Sequence, residues 1–182
     1  MEHPNKTSEL QQRAPKIFKA LARFLDQTQL DQLAAEYFEC DRLGGNVELG
    51  MVREEGVSFN PRLARLLSLL VTDGGVREFS LLRAALYAAC LSESVELEQL
   101  PKELKSLISA VWRPDLSLPE AVLIRGVIEL DTIRHLHQTA FSQPERIERI
   151  QALKRLLQRL QSGVLPEWLR IKLEHAVLLQ TR

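Results

Sequence analysis

Ser80-Leu81-Leu82-Arg83-Ala84-Ala85-Leu86-Tyr87-Ala88-Ala89-Cys90-Leu91 is rich in leucine and alanine, and Arg83 is its one charged residue. A segment that is apolar nearly all round has no solvated face, so it is expected to form the central, most buried helix of the chain. The remaining segments then read as amphipathic helices laid around it.

Upstream, Asn60 suits an N-cap and Pro61 the first helical position. Leu63, Leu66, Leu67 and Leu70 form the apolar stripe of that helix, and Asp73-Gly74-Gly75 ends it. Nearer the start, a helix begins by Pro15 with Ile17, Leu21, Phe24 and Leu25 on one face; another spans about Thr28 to Cys40 with Leu30, Leu33 and Tyr37 inward. Residues 41–60 break the pattern. Val47, Leu49, Met51 and Val52 there suggest one short hairpin near 46–58.

Downstream, Pro101 opens an amphipathic helix running to about Trp112. Ser117 and Glu120 form a capping-box pattern ahead of a helix expected to reach about Gln138. Ser142 and Glu145 repeat the pattern before a helix over 144–161, with Ile147, Ile150, Leu153, Leu156, Leu157 and Leu160 on one face. Pro166 starts the last helix, with Trp168, Leu169, Leu173 and Val177 facing in. These segments make about eight helices with short connections. The expected fold is all-α: a compact single-domain bundle over residues 8–182 behind a disordered leader at 1–7.

With 182 residues, 45% of them hydrophobic and 26% charged, the chain has the composition of an ordinary globular domain. Twenty-four basic residues balance 24 acidic ones. This lack of basic excess argues against nucleic acid as the partner, and zero net charge does little to oppose self-association. No apolar run reaches the length of about 18 residues that spans a bilayer, and the polar N-terminus lacks the pattern of an export signal. Cys40 and Cys90, far apart in sequence and without a CxxC, read as two free thiols in a reducing compartment. A cytoplasmic location is expected.

The most chemical-looking stretch is Glu129-Leu130-Asp131-Thr132-Ile133-Arg134-His135-Leu136-His137. Asp131 and His135, four apart, share a helix face and can either pair or hold a metal. A metal site needs three or four ligands, and His137 points elsewhere on the wheel; an Asp–His pair at a helix end is the commoner use. Arg146, Arg149, Lys154, Arg155 and Arg159 decorate the polar side of the 144–161 helix, interrupted by Glu145 and Glu148, as a solvated face would be. Trp112 and Trp168, each close to a proline, read as core or helix anchors. The sequence contains no HExxH, Walker motif or nucleophile elbow.

Over residues 58–160 the order of segments resembles the HD-type hydrolase domain of bacterial RelA/SpoT proteins, an all-helical metal phosphohydrolase. Asn60-Pro61-Arg62-Leu63-Ala64-Arg65-Leu66-Leu67 stands where the family's first metal histidine opens a Leu-rich helix. The His-Asp pair that ends the family's apolar helix would fall on Tyr87-Ala88 or Ala88-Ala89, with Glu93 as an acidic remnant of the carboxylates that follow. Ala121-Val122-Leu123-Ile124-Arg125-Gly126-Val127-Ile128-Glu129-Leu130-Asp131-Thr132-Ile133-Arg134-His135-Leu136 fills the later helix, with Ile128 at the metal aspartate, and Pro144-Glu145-Arg146 continues as the family does. Every metal-ligand position departs from the family. The resemblance therefore implies a degenerate HD-like domain that uses no cofactor and has lost its metal ligands.

The expected function is a non-catalytic binding or regulatory domain, acting on a protein partner, by self-association, or on a phosphorylated small molecule. A vacated cleft of that fold would be lined by Arg62, Arg65, Arg125 and Arg134. The alternative is a metal-dependent phosphohydrolase with a rearranged site at Asp131 and His135.

Overall fold

A computed structural model describes residues 16–44, 61–90, 100–113, 118–136, 141–159 and 164–181, with backbone only for 42–44 and 159. The described residues form eight α-helices and no strand: α1 (Ile17–Leu21), α2 (Gln27–Gly44), α3 (Pro61–Ser68), α4 (Phe79–Cys90), α5 (Lys102–Trp112), α6 (Pro119–Arg134), α7 (Gln143–Arg159) and α8 (Glu167–Gln180). The fold is the expected all-α multi-helix bundle. The leader, the hairpin near 46–58, Asn60, Glu93, Ser117 and His137 lie outside the described residues.

Every residue of α4 from Leu81 to Cys90 is buried, as its composition requires. It packs against α2, α3, α5 and α6. The second hub is α6, which packs against α3, α4, α5 and α8. One cluster of buried apolar side chains runs from Leu21 in α1 to Val177 in α8. Each fully buried leucine in it, such as Leu82, Leu86 or Leu169, contributes roughly 1.5–3 kcal/mol relative to exposure.

Local chemistry sets the helix ends. Asp26 and Gln29 cap α2 reciprocally: the Gln29 N–H donates to Asp26 Oδ1 at 2.8 Å, and the Asp26 N–H donates to Gln29 Oε1 at 3.2 Å. This box starts α2 at Gln27 rather than Thr28. After Ser68, α3 continues as a π-helical turn over Leu69–Asp73, closed by Gly74 N–H to Leu69 O at 3.0 Å and Val76 N–H to Leu70 O at 2.9 Å. Gly75 takes φ +66° to make that exit, and a Cβ on Gly74 would lie 2.7 Å from Leu70 O and 3.0 Å from Trp168 Cζ2. The glycine pair thus ends the helix and lets α8 approach it.

Two boundaries differ from expectation. The helix expected to reach Gln138 stops at Arg134, because the His135 ring and N–H turn back onto the last carbonyls of α6: Nδ1 is 2.8 Å from Asp131 O, and the N–H donates to Asp131 O and Thr132 O. On α7, Ile150 and Leu153 are buried, but Ile147, placed on the same face by the sequence, is exposed. That helix packs mainly on α8, and Ile150 and Leu153, further along it, are the residues that packing buries.

The Ser142–Glu145 box forms as expected: the Ser142 N–H and hydroxyl donate to Glu145 Oε2 at 2.6 and 2.7 Å. These bonds hold the Glu145 carboxyl below its ordinary range, the hydroxyl's first. A folded value below the unfolded one, about 4.3 for glutamate, means the cap stabilises α7 above that pH and is lost as pH falls through the folded value. Amide exchange in the first turn of α7, corrected for intrinsic rate, is expected to be less protected at acid than at neutral pH. Glu145→Gln should remove the difference. Gly74→Ala is expected to cost about 1–3 kcal/mol in urea unfolding, since its methyl meets backbone that cannot yield.

Candidate functional site

Asp131 lies on the inward face of α6 among Val127, Ile128 and Leu130, and only 1% of it is exposed. An ionised carboxylate held there without partners would be prohibitively costly. α3 supplies the partners. Arg62 and Arg65 sit three apart and so share a face. Arg65 grips the carboxylate with both prongs, donating Nε to Oδ1 at 2.6 Å and Nη2 to Oδ2 at 3.1 Å. Arg62 Nε stands 3.8 Å from Oδ2, while its Nη2 donates to Thr132 Oγ1 at 3.3 Å. The Thr132 hydroxyl in turn donates to Ile128 O at 2.9 Å.

His135 closes the cluster, with Nδ1 3.3 Å from Asp131 Oδ1 and 2.8 Å from Asp131 O. A carbonyl oxygen can only accept, so the nearer contact places a proton on Nδ1. Burial lowers the pKa of Arg62; Asp131 and Glu129 oppose that shift, and Arg149 and Arg65 add to it. Three guanidinium groups therefore act on one another around Asp131 and Glu129, and the carboxylates hold them together.

The four arginines named from sequence have different surroundings. Arg62 and Arg65 meet at Asp131. Arg125 donates to Glu129 Oε1 at 2.8 Å and lies 4.5 Å above the Trp112 ring, joining α6 to α5. Arg134 is exposed on the last turn of α6. Trp112 Nε1 is buried with no acceptor among the described residues. On α7, Arg146 donates to Phe141 O at 3.0 Å and Arg149 stacks on the Phe141 ring at 5.1 Å, while Lys154 and Arg155 stand in solvent.

Asp131 and His135 do meet, as their spacing allows, but both carboxylate oxygens already accept from Arg65. Among the described residues no three His, Cys, Asp or Glu side chains are grouped to hold a metal ion. The positions that the HD resemblance aligns with metal ligands, Tyr87, Ala88, Ala89 and Ile128, lie inside the apolar core.

A second buried ion cluster escaped the sequence reading. Arg83 on α4 donates Nε and Nη2 to Glu36 on α2 at 2.6–2.9 Å, and Nη1 to Glu103 on α5 at 3.0 Å. The guanidinium lies 5.3 Å over the Phe79 ring. The hydrogen bonds to Glu36 raise the pKa of Arg83. Glu103 is held below the ordinary carboxylate range by its own backbone N–H and then by Arg83. The available signal was Arg83 itself, a charge in an otherwise apolar helix that had to be paired.

Asp131→Ala removes the buried carboxylate that Arg65 grips and that lies nearest buried Arg62, and is expected to destabilise by about 3–5 kcal/mol in urea unfolding. Arg83→Met, which strands Glu36, should cost a similar amount. Glu103→Gln, at an exposed carboxylate screened by solvent, should cost much less than Arg83→Met. Equal losses for Glu103→Gln and Arg83→Met would contradict the assignment of Glu36 as the principal partner.

No family model matches the chain, and neither a curated protein nor a solved structure does so.

Proposed function

We propose that this chain is a non-catalytic helical module, HD-like in its skeleton, that works by binding a protein partner or a second copy of itself. The observation that carries this reading is the occupation of Asp131 by Arg65. The carboxylate that shares a helix face with His135 is saturated by a bidentate cation and sealed from water. A hydrolytic centre needs a carboxylate or imidazole free to hold a cation or move a proton. Here the acid, the base and the neighbouring cations neutralise one another and tie α3 to α6.

A phosphorylated ligand would be gripped by arginines with donors to spare. Arg65 commits both prongs to Asp131, Arg125 gives Nε to Glu129 and Arg62 gives Nη2 to Thr132, which favours a protein surface over a phosphate pocket. Consistent with that, the outer side of α8 leaves Ile171, Leu178 and Leu179 exposed by 51%, 58% and 57%, and the balanced charge does not keep copies apart. No helix among the described residues is long and apolar enough to cross a membrane.

Metal analysis tests the reading directly. Protein stripped with chelator and then incubated with manganese or zinc is expected to retain no stoichiometric metal and to hydrolyse no generic phosphoester. Stoichiometric metal that disappears in His135→Ala, together with turnover, would overturn it. Sedimentation equilibrium over a wide concentration range is expected to show association that Leu178→Glu abolishes without changing helicity.

A further inference from the structure

Trp112 and Arg125 meet where the end of α5 lies against α6. Trp112 is the last residue of α5 and is half-buried; Arg125 stands in the second turn of α6 with 22% of its side chain exposed. The guanidinium carbon lies 4.5 Å from the centre of the Trp112 ring, so the indole face supports the cation. Glu129, one turn further along α6, accepts from Arg125 Nε at 2.8 Å. These two contacts hold the guanidinium in one place.

Neither contact uses its end. The bond to Glu129 is the one hydrogen bond Arg125 makes among the described residues, so the paired Nη1 and Nη2 donors are uncommitted. The guanidiniums of the buried clusters differ: Asp131 takes both prongs of Arg65, and Glu36 and Glu103 between them engage every nitrogen of Arg83. Trp112 adds a third donor. Its Nε1 is buried with no acceptor among the described residues, and an indole N–H can only donate. Buried donors normally find a partner. Charge points the same way. Arg113, exposed beyond the end of α5, is in no ion pair among the described residues, so two cations, Arg113 and Arg125, stand against the one carboxylate of Glu129.

We propose that Arg125 and Trp112 form a carboxylate-binding site at the seam of α5 and α6. The ligand's two oxygens accept from Nη1 and Nη2, and a tilt of the half-buried indole brings Nε1–H onto one of them. A planar fork selects a planar anion that it can grip with two parallel bonds. Glu129, already beside the guanidinium, repels a doubly charged phosphate more than a carboxylate. The carboxylate is that of a free organic acid or of an acidic side chain on a protein. No residue of α8 takes part, so the site does not rest on self-association through that helix, and the two can fail separately.

The test follows the two indole N–H resonances of the intact, isotope-labelled protein, assigned with Trp168→Phe. Sodium acetate replaces sodium chloride at constant ionic strength and pH. The Trp112 indole proton is expected to move downfield and saturate, as an N–H that gains an acceptor does, while that of Trp168 stays in place. A blocked triglutamate peptide is the second probe. Tighter binding per carboxylate than acetate assigns the ligand to a protein side chain; equal or weaker binding assigns it to a free acid. Arg125→Lys keeps the charge but not the fork and should bind several-fold more weakly, and Arg125→Met should lose the shift. Four results would each overturn the proposal: no saturable shift with either probe, equal movement of both indoles, a shift that survives Arg125→Met with helicity intact, or inorganic phosphate binding more tightly than acetate. The wild-type titration decides whether or not the Arg125 variants fold.

Discussion

A carboxylate withdrawn from water must find a cation, and that requirement organises the interior of this protein. Asp131 is nearly inaccessible on the inner face of α6, and its partners come from α3 by way of Arg65 and Arg62. Glu36 poses the same demand on α2, and Arg83 on α4 answers it while reaching Glu103 on α5. Each cluster makes contacts that apolar packing alone would not specify. Leucines and alanines can slide past one another by a turn at modest cost, but a bidentate guanidinium cannot. Such pairs often add little net stability, because desolvation offsets the attraction; their contribution is the choice of one register among several apolar ones.

The same constraint bears on function. In the HD-type hydrolases proposed as kin of this chain, histidines and aspartates face a divalent cation. Here the inward positions of α4 and α6 that align with those ligands carry Tyr87, Ala88, Ala89 and Ile128, and guanidinium groups from the protein itself neutralise the neighbouring carboxylate. A cation fixed by a covalent side chain cannot exchange, carry an activated water or leave an open coordination position. Under the proposed reading the arrangement serves as a scaffold, and binding falls to the outer face, where α8 presents Ile171, Leu178 and Leu179.

Parts of the site were legible in the sequence and parts were not. The four-residue spacing of Asp131 and His135 places them on one helix face, and the structure brings them together. Nothing along the chain reveals that Arg65 would take both carboxylate oxygens, because that contact joins residues on separate helices. Arg83 announces a need for a partner, but Glu36 and Glu103 are two of 24 acidic residues and neither is marked out locally.

The sequence by itself determined the helices, their approximate ends and which face of most of them is buried. Those properties depend on side chains three or four residues apart and on caps such as Ser142 with Glu145, which act within one turn. It also singled out α4 as the core, since a segment with no polar side has nowhere else to go. Tertiary structure alone decided which charges pair and which apolar residues stay outside, Ile147 among them. These outcomes depend on distances between helices, set by the packing of all of them at once, and no local pattern encodes them.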